Sequence, residues 1–288
     1  MNDAIHIAAT RYVMSAQRLV TQHIVLLGGD VVDGFIFYGV LSASTAHVDF
    51  AADGQGRWAT LSDPRVPHEN RRPITIRALA DSLGMPRQTV WRRLRRLIAA
   101  GVVEHTSAGV LTARRDPRSP AYSTALILNT ELMTSFLSEG SFGHDARERD
   151  RKAALGVATQ PDPPRRTIGR LSTTFILHVI SEFARRTTGD LMDAYLQLGL
   201  TAACGGPGAD GRRPLLTPAP TRQIVEITGL AEETARRRLQ GLVKAGFAER
   251  TPAGYAPTWL AGDDASGLRG AMAIGVTRLI GQLARQGS

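Results

Sequence analysis

Residues 77–109, RALADSLGMPRQTVWRRLRRLIAAGVVEHTSAG, and residues 222–254, RQIVEITGLAEETARRRLQGLVKAGFAERTPAG, align without a gap at an offset of 145, with 13 of 33 positions identical. Unrelated segments would share roughly two, so the match argues for an internal duplication. Each copy follows an Arg-Arg-Pro, at 71–73 and 212–214. In the first copy the apolar spacing predicts a short helix over Ile76–Leu83, a turn at Gly84-Met85-Pro86, and a longer helix from Arg87 to Ala100 that stops at Gly101. Val102–Thr106 and Val110–Arg114 read as two strands joined at Ser107-Ala108-Gly109. The second copy keeps the apolar positions Ala235, Leu239 and Leu242 and closes on a hairpin between Phe247 and Trp259.

Outward from the two blocks the halves continue to correspond. Gly29-Asp30-Val31-Val32-Asp33 faces Gly189-Asp190-Leu191-Met192-Asp193, and Gly39 then matches Gly199. Helical patterns precede the blocks at about 8–28 and 31–46 in one half and about 170–187 and 190–203 in the other. A closing amphipathic helix follows each, at about 121–138 and 265–285. The segment 140–167 is polar and ends Pro-rich, which reads as a linker, and the loop 47–73 is long. The expected domains are therefore 1–139 (packing helices 8–46, block 71–116, closing helix 121–138) and 168–288 (packing helices 170–203, block 212–260, closing helix 265–285).

The longer helix of the first block is two-faced. Val90, Leu94 and Leu97 share one side, while Gln88, Trp91, Arg92 and Arg95 lie opposite, with Arg87 and Arg96 at the margins. Helix, turn, helix and hairpin in the pattern LADSLGMPRQTVWRRLRRLIAAGVVE resemble the winged helix-turn-helix domains of bacterial MarR, GntR and IclR regulators. That resemblance implies a mainly α fold with two repeated winged helix-turn-helix modules, small β-hairpin wings and flanking packing helices. It also implies that the helix after Pro86 enters a DNA major groove, making Arg87, Gln88, Thr89, Trp91, Arg92, Arg95 and Arg96 the recognition surface and Arg114 a wing contact. In the second copy Thr234, Arg236, Arg237 and Arg250 take those places, beside an exposed Arg238. Glu232 and Glu233 in its first turn favour the helix dipole but repel phosphates, so that face is less basic. Pro86 and Ala231 stand where such domains commonly carry a capping Ser.

Composition fits this reading. The 288 residues are 43% hydrophobic but only 6% aromatic, so the core is supplied by aliphatic side chains suited to packed helices. The formal charge of +9 favours polyanionic partners, although its near-exclusive delivery by Arg, with Lys152 and Lys244 the two lysines, also fits a GC-rich genome. One cysteine, Cys204, excludes an internal disulfide and a Cys-based zinc site, and the histidines lack HxxxH or HxH spacing. Asp30/Asp33 and Asp190/Asp193 follow a glycine at a helix start, an arrangement that reads as capping rather than metal ligation. Gly205-Gly206-Pro207-Gly208 lacks the Lys-Ser/Thr of a P-loop and reads as a plain loop, and no GxSxG occurs. The expectations are thus no enzyme activity, no cofactor, no metal and no membrane partner, a cytoplasmic, nucleoid-associated location, and double-stranded DNA as partner. The apolar helices leave homodimerisation open, and a small-molecule effector between the flanking helices is compatible with the pattern, though no residue cluster specifies one. A transcription regulator is the leading reading, with a plasmid- or phage-type replication initiator and a winged-helix docking scaffold as alternatives.

Overall fold

The apolar periodicity of the chain condenses into helices, several of which start at a capping side chain (Asp30, Thr75, Asp190) or directly behind a proline (Pro86, Pro164, Pro220). The structure, a computed structural model, describes residues 3–25, 29–49, 57–113, 120–139, 145–206, 215–260 and 267–287. The central layer is built from α1 (Asp3–Val25), α2 (Val31–Thr45), α5 (Pro120–Glu139), α7 (Arg165–Arg186), α8 (Leu191–Cys204) and α11 (Leu268–Ala284). α1 packs on α2, α5 and α8, and α7 packs on α2, α5, α8 and α11. Tyr12 and Phe35 are buried with Ile168, Phe183 and Tyr195 in one continuous core. Each large side chain so buried contributes about 1.5–3 kcal/mol. A buried polar knot ties three helices together, with the Tyr12 hydroxyl meeting Asn129 Oδ1 at 3.2 Å and also Ser172 Oγ. Val31–Val48 is long and apolar enough to cross a membrane by length and composition, and 67% of it is buried in this core.

Two smaller units flank the layer. The first holds α3 (Ile76–Leu83), α4 (Arg87–Ala99) and the antiparallel strands β1 (Val103–Thr106) and β2 (Gly109–Thr112). The second holds α9 (Thr221–Thr228), α10 (Glu232–Lys244) and the antiparallel strands β5 (Ala248–Thr251) and β6 (Gly254–Pro257). Positions separated by 145 have matching geometry. Val103 pairs with Thr112 as Ala248 pairs with Pro257, and the Ile74–Val110 bridge corresponds to Ala219–Tyr255. Gly84 and Gly229 close the first helices at φ +61° and +67°, in the left-handed region that glycine adopts without strain. Gly39 and Gly199 let these helices come close: a Cβ there would stand 2.5 Å from Leu79 and 2.3 Å from Thr228.

Three readings of the sequence need correction. The segment 140–167 contains α6 (Asp145–Ala158), which buries Ala154, Val157 and Ala158 and packs on α5 and α11. A short apolar stripe inside a run of charges hides this helix from a composition argument. Gly205–Gly206 is a two-residue strand, β3, paired with β4 (Leu215–Leu216), and a Cβ on Gly205 would lie 2.5 Å from Ile7. Glycine there admits close approach to α1. Arg238 is turned inward, as described below. The Arg-Arg-Pro at 212–214, Pro207-Gly208, and the first residues of the expected closing helix at 265–266 lie outside the described residues.

Candidate nucleic-acid interface

α3 and α4 are joined by a tight turn in which Gly84 ends α3 in the left-handed region and Pro86 immediately precedes α4. Thr75 caps α3 by accepting from Ala78 N–H at 3.2 Å, whereas Pro86 gives α4 no side-chain cap. Val90, Leu94 and Leu97 are buried, which fixes the opposite face of α4 outward. On that face Arg87, Gln88, Trp91, Arg92 and Arg95 are exposed, and Thr89 is half-buried. The Trp91 ring, 38% exposed, leans on His105 of β1 with centroids 5.7 Å apart, so the helix surface runs on into the hairpin. Arg114 lies outside the described residues.

The five arginines of α4 divide into two groups. Arg93 is only 17% exposed in its side chain and meets Asp30 at 2.7 Å and Asp33 at 3.1 Å. Arg96 reaches Asp33, which is fully buried, at 3.0 Å, so this predicted recognition residue also ties α4 to α2, with 52% of its side chain still exposed. No ion pair joins Arg87, Arg92 or Arg95 to another described residue. Asp30 and Asp33 form the expected capping box, Asp30 accepting from the amides of Val32 and Asp33, and Asp33 from that of Asp30. Partial burial works to raise the Asp30 carboxyl, but the Arg93 hydrogen bond and the amides outweigh it and hold the group below the usual aspartate range. The clamp was missed in the sequence, although a signal existed. An acid pair and an arginine recur together in both halves, and Arg238 meets Asp190 at 2.8 Å and Asp193 at 2.5 Å.

The surface of α10 is different. Arg237 is exposed, but Arg236 is paired with Glu233 at 2.6 Å, and Glu232 and Glu233 are both exposed. Thr234 is half-buried, and Arg250 on β5 is exposed with its guanidinium 6.0 Å from the Tyr255 ring. Among the described residues no group of three or more His, Cys, Asp or Glu is placed to hold a metal ion.

A protein-family profile described as winged helix-turn-helix DNA-binding matches residues 68–104. This span runs from the segment before α3 through α4 into β1. The chain therefore carries a winged helix-turn-helix DNA-binding module in its first half. No curated protein and no solved structure matches the chain.

Proposed function

We propose that this protein is a sequence-specific, double-stranded-DNA-binding transcription regulator with two winged modules in one chain, 1–139 and 168–288 forming its halves. The observation that carries the reading is the exposed α4 face, where Arg87, Arg92 and Arg95 have no carboxylate partner among the described residues. Free guanidiniums can meet phosphates or a guanine edge, while Gln88 and Thr89 suit base contacts. Arg96 adds to this edge only as far as its bond to Asp33 allows. The matched spacing of 145 supports a second module, with Thr234, Arg236, Arg237 and Arg250 as its contact residues. The Glu233–Arg236 pair and the acidic start of α10 favour weaker DNA binding there, or docking to a protein. A replication initiator would use the same modules on repeated origin sites.

Selection of bound sequences from random duplexes, followed by anisotropy on the enriched site, tests the reading. Arg92→Ala is expected to weaken binding by about 1–3 kcal/mol, with Arg237→Ala weakening it less. Genome-wide occupancy at promoters supports regulation, and occupancy confined to origin repeats supports initiation. No enriched sequence and no shift at low salt would sink DNA recognition.

A further inference from the structure

Four large apolar side chains stand exposed among the described residues: Trp91, Ile127, Leu128 and Ile274. Ile127 and Leu128 belong to α5 and Ile274 to α11, whereas Trp91 sits in the middle of the outward face of α4, the helix that carries the exposed arginines. The core of the module is filled by other side chains. Val90, Leu94 and Leu97 occupy the inner side of α4 at 0%, 0% and 2% exposure, while the Trp91 ring is 38% exposed. It lies against His105, itself exposed, with the ring planes inclined at 58°. The two rings thus form a shelf at surface level between helix and wing. Arg87, Gln88, Arg92 and Arg95, all exposed, surround the indole within about one turn of the helix.

The second module differs at this spot. At an offset of 145, Gln88 and Trp91 correspond to Glu233 and Arg236, which bond to each other at 2.6 Å. Side chains at these two places are therefore within reach of one another on the helix surface, and the apolar shelf is confined to the first module.

A helix in a major groove directs its side chains at base edges. Guanine offers two acceptors there, cytosine an amino donor, adenine an acceptor and a donor, and thymine an acceptor beside its C5 methyl group. The methyl is the one apolar group among them. An indole face laid on the other edges would strip water from donors and acceptors without replacing the lost hydrogen bonds. Laid on a methyl, it removes apolar surface from water on both sides. We propose that Trp91 reads the C5 methyl of a thymine within the site bound by the first module, a specificity that rests on the DNA-binding reading above. Gln88, three positions earlier, has an amide that matches adenine. The two together select an A·T pair or two adjoining ones, and the guanidiniums on either side meet phosphate or guanine. Because Arg236 holds the equivalent place, the second module lacks this preference.

Anisotropy of the full chain on the selected duplex, with each thymine replaced in turn by deoxyuridine, tests the assignment. Deoxyuridine keeps every hydrogen-bonding atom of thymine and lacks only the methyl. In the wild type one position should lose about fourfold in affinity, the worth of one buried methylene-sized group, and the other thymines little. Trp91→Ala should bind the thymine and deoxyuridine duplexes equally at that position. Trp91→Phe, which stays apolar but loses the indole N–H, should keep most of the difference. The readout is a ratio within each variant, so a general loss of affinity cancels, and thermal unfolding checks that both variants fold. No deoxyuridine-sensitive position in the wild type overturns the methyl readout while DNA recognition stands. So does a sensitivity that persists in Trp91→Ala, which assigns it to another side chain such as Thr89, or a Trp91→Phe that behaves as the alanine variant does. A chain that shifts no duplex at any salt instead defeats the DNA reading, and this specificity with it.

Discussion

Neighbouring arginines on one helix face opposite ways, Arg93 inward onto Asp30 and Asp33 and Arg92 outward, and substitution separates them. Arg93 neutralises Asp33, whose side chain is 0% exposed. Arg93→Met leaves that carboxylate buried with Arg96 as its remaining cation, and should cost about 3 kcal/mol in urea unfolding. Arg92→Ala, on the outer face, should change stability by about 0.5 kcal/mol or less while removing DNA affinity. The acid limb of stability is a second readout of the first substitution. Asp30 titrates below its ordinary value in the folded chain: burial is the largest single influence and works to raise it, but the Arg93 hydrogen bond and charge together with the Asp33 and Val32 amides outweigh it. A depressed carboxylate lends stability above its unfolded pKa of about 3.9, and that stability is lost as pH falls through the folded value. Urea midpoints of the wild type should therefore fall as the buffer is taken below about pH 4, and those of Arg93→Met should fall less steeply over the same window.

At the scale of elements, the hairpins depend on glycine for space as well as torsion. Gly109 has φ +138°, and a Cβ there would lie 2.4 Å from the Ile74 carbonyl oxygen. Gly109→Ala should break the Ile74–Val110 bridge and cost about 1–3 kcal/mol, with amide exchange rising first in β1 and β2. Gly101→Ala, at φ +66° with nothing within 4 Å, should pay only the left-handed torsion, about 1 kcal/mol. These elements were legible in the sequence for a physical reason. Helix periodicity is local, so Ile76–Leu83 agrees with α3 residue for residue and Arg87–Ala100 overshoots α4 by one. Partnerships across the fold are not local. Arg93 with Asp30 spans 63 positions, and Arg166 meets the carbonyl of Asp63 across 103. No window of sequence displays either pair. α6 stayed hidden because its first half, 145–152, is a run of charges in the sequence while its buried stripe is only Ala154, Val157 and Ala158.

For the whole molecule, burial of the single thiol provides a reporter. Cys204 lies at the end of α8, donates to the Tyr255 carbonyl at 3.2 Å, and has its pKa pushed up to about 11 by burial. A thiol reagent at neutral pH should modify it only as fast as the second half opens, so its rate should track urea-induced unfolding. Rapid modification of the native chain would mean that β6 and α8 part locally. The winged module of the first half is gripped at two places by one helix. Asp30 and Asp33 hold α4 from the start of α2, and Ser44 near its end accepts from the Thr112 amide at 3.3 Å. Such a module is not portable. Grafted onto another chain, residues 68–113 would leave both anchorages behind, exposing the inner side of α4 and freeing the hairpin to pivot against it. What evolution can exchange in this architecture is the outer face of a helix, one side chain at a time, and not the module as a cassette.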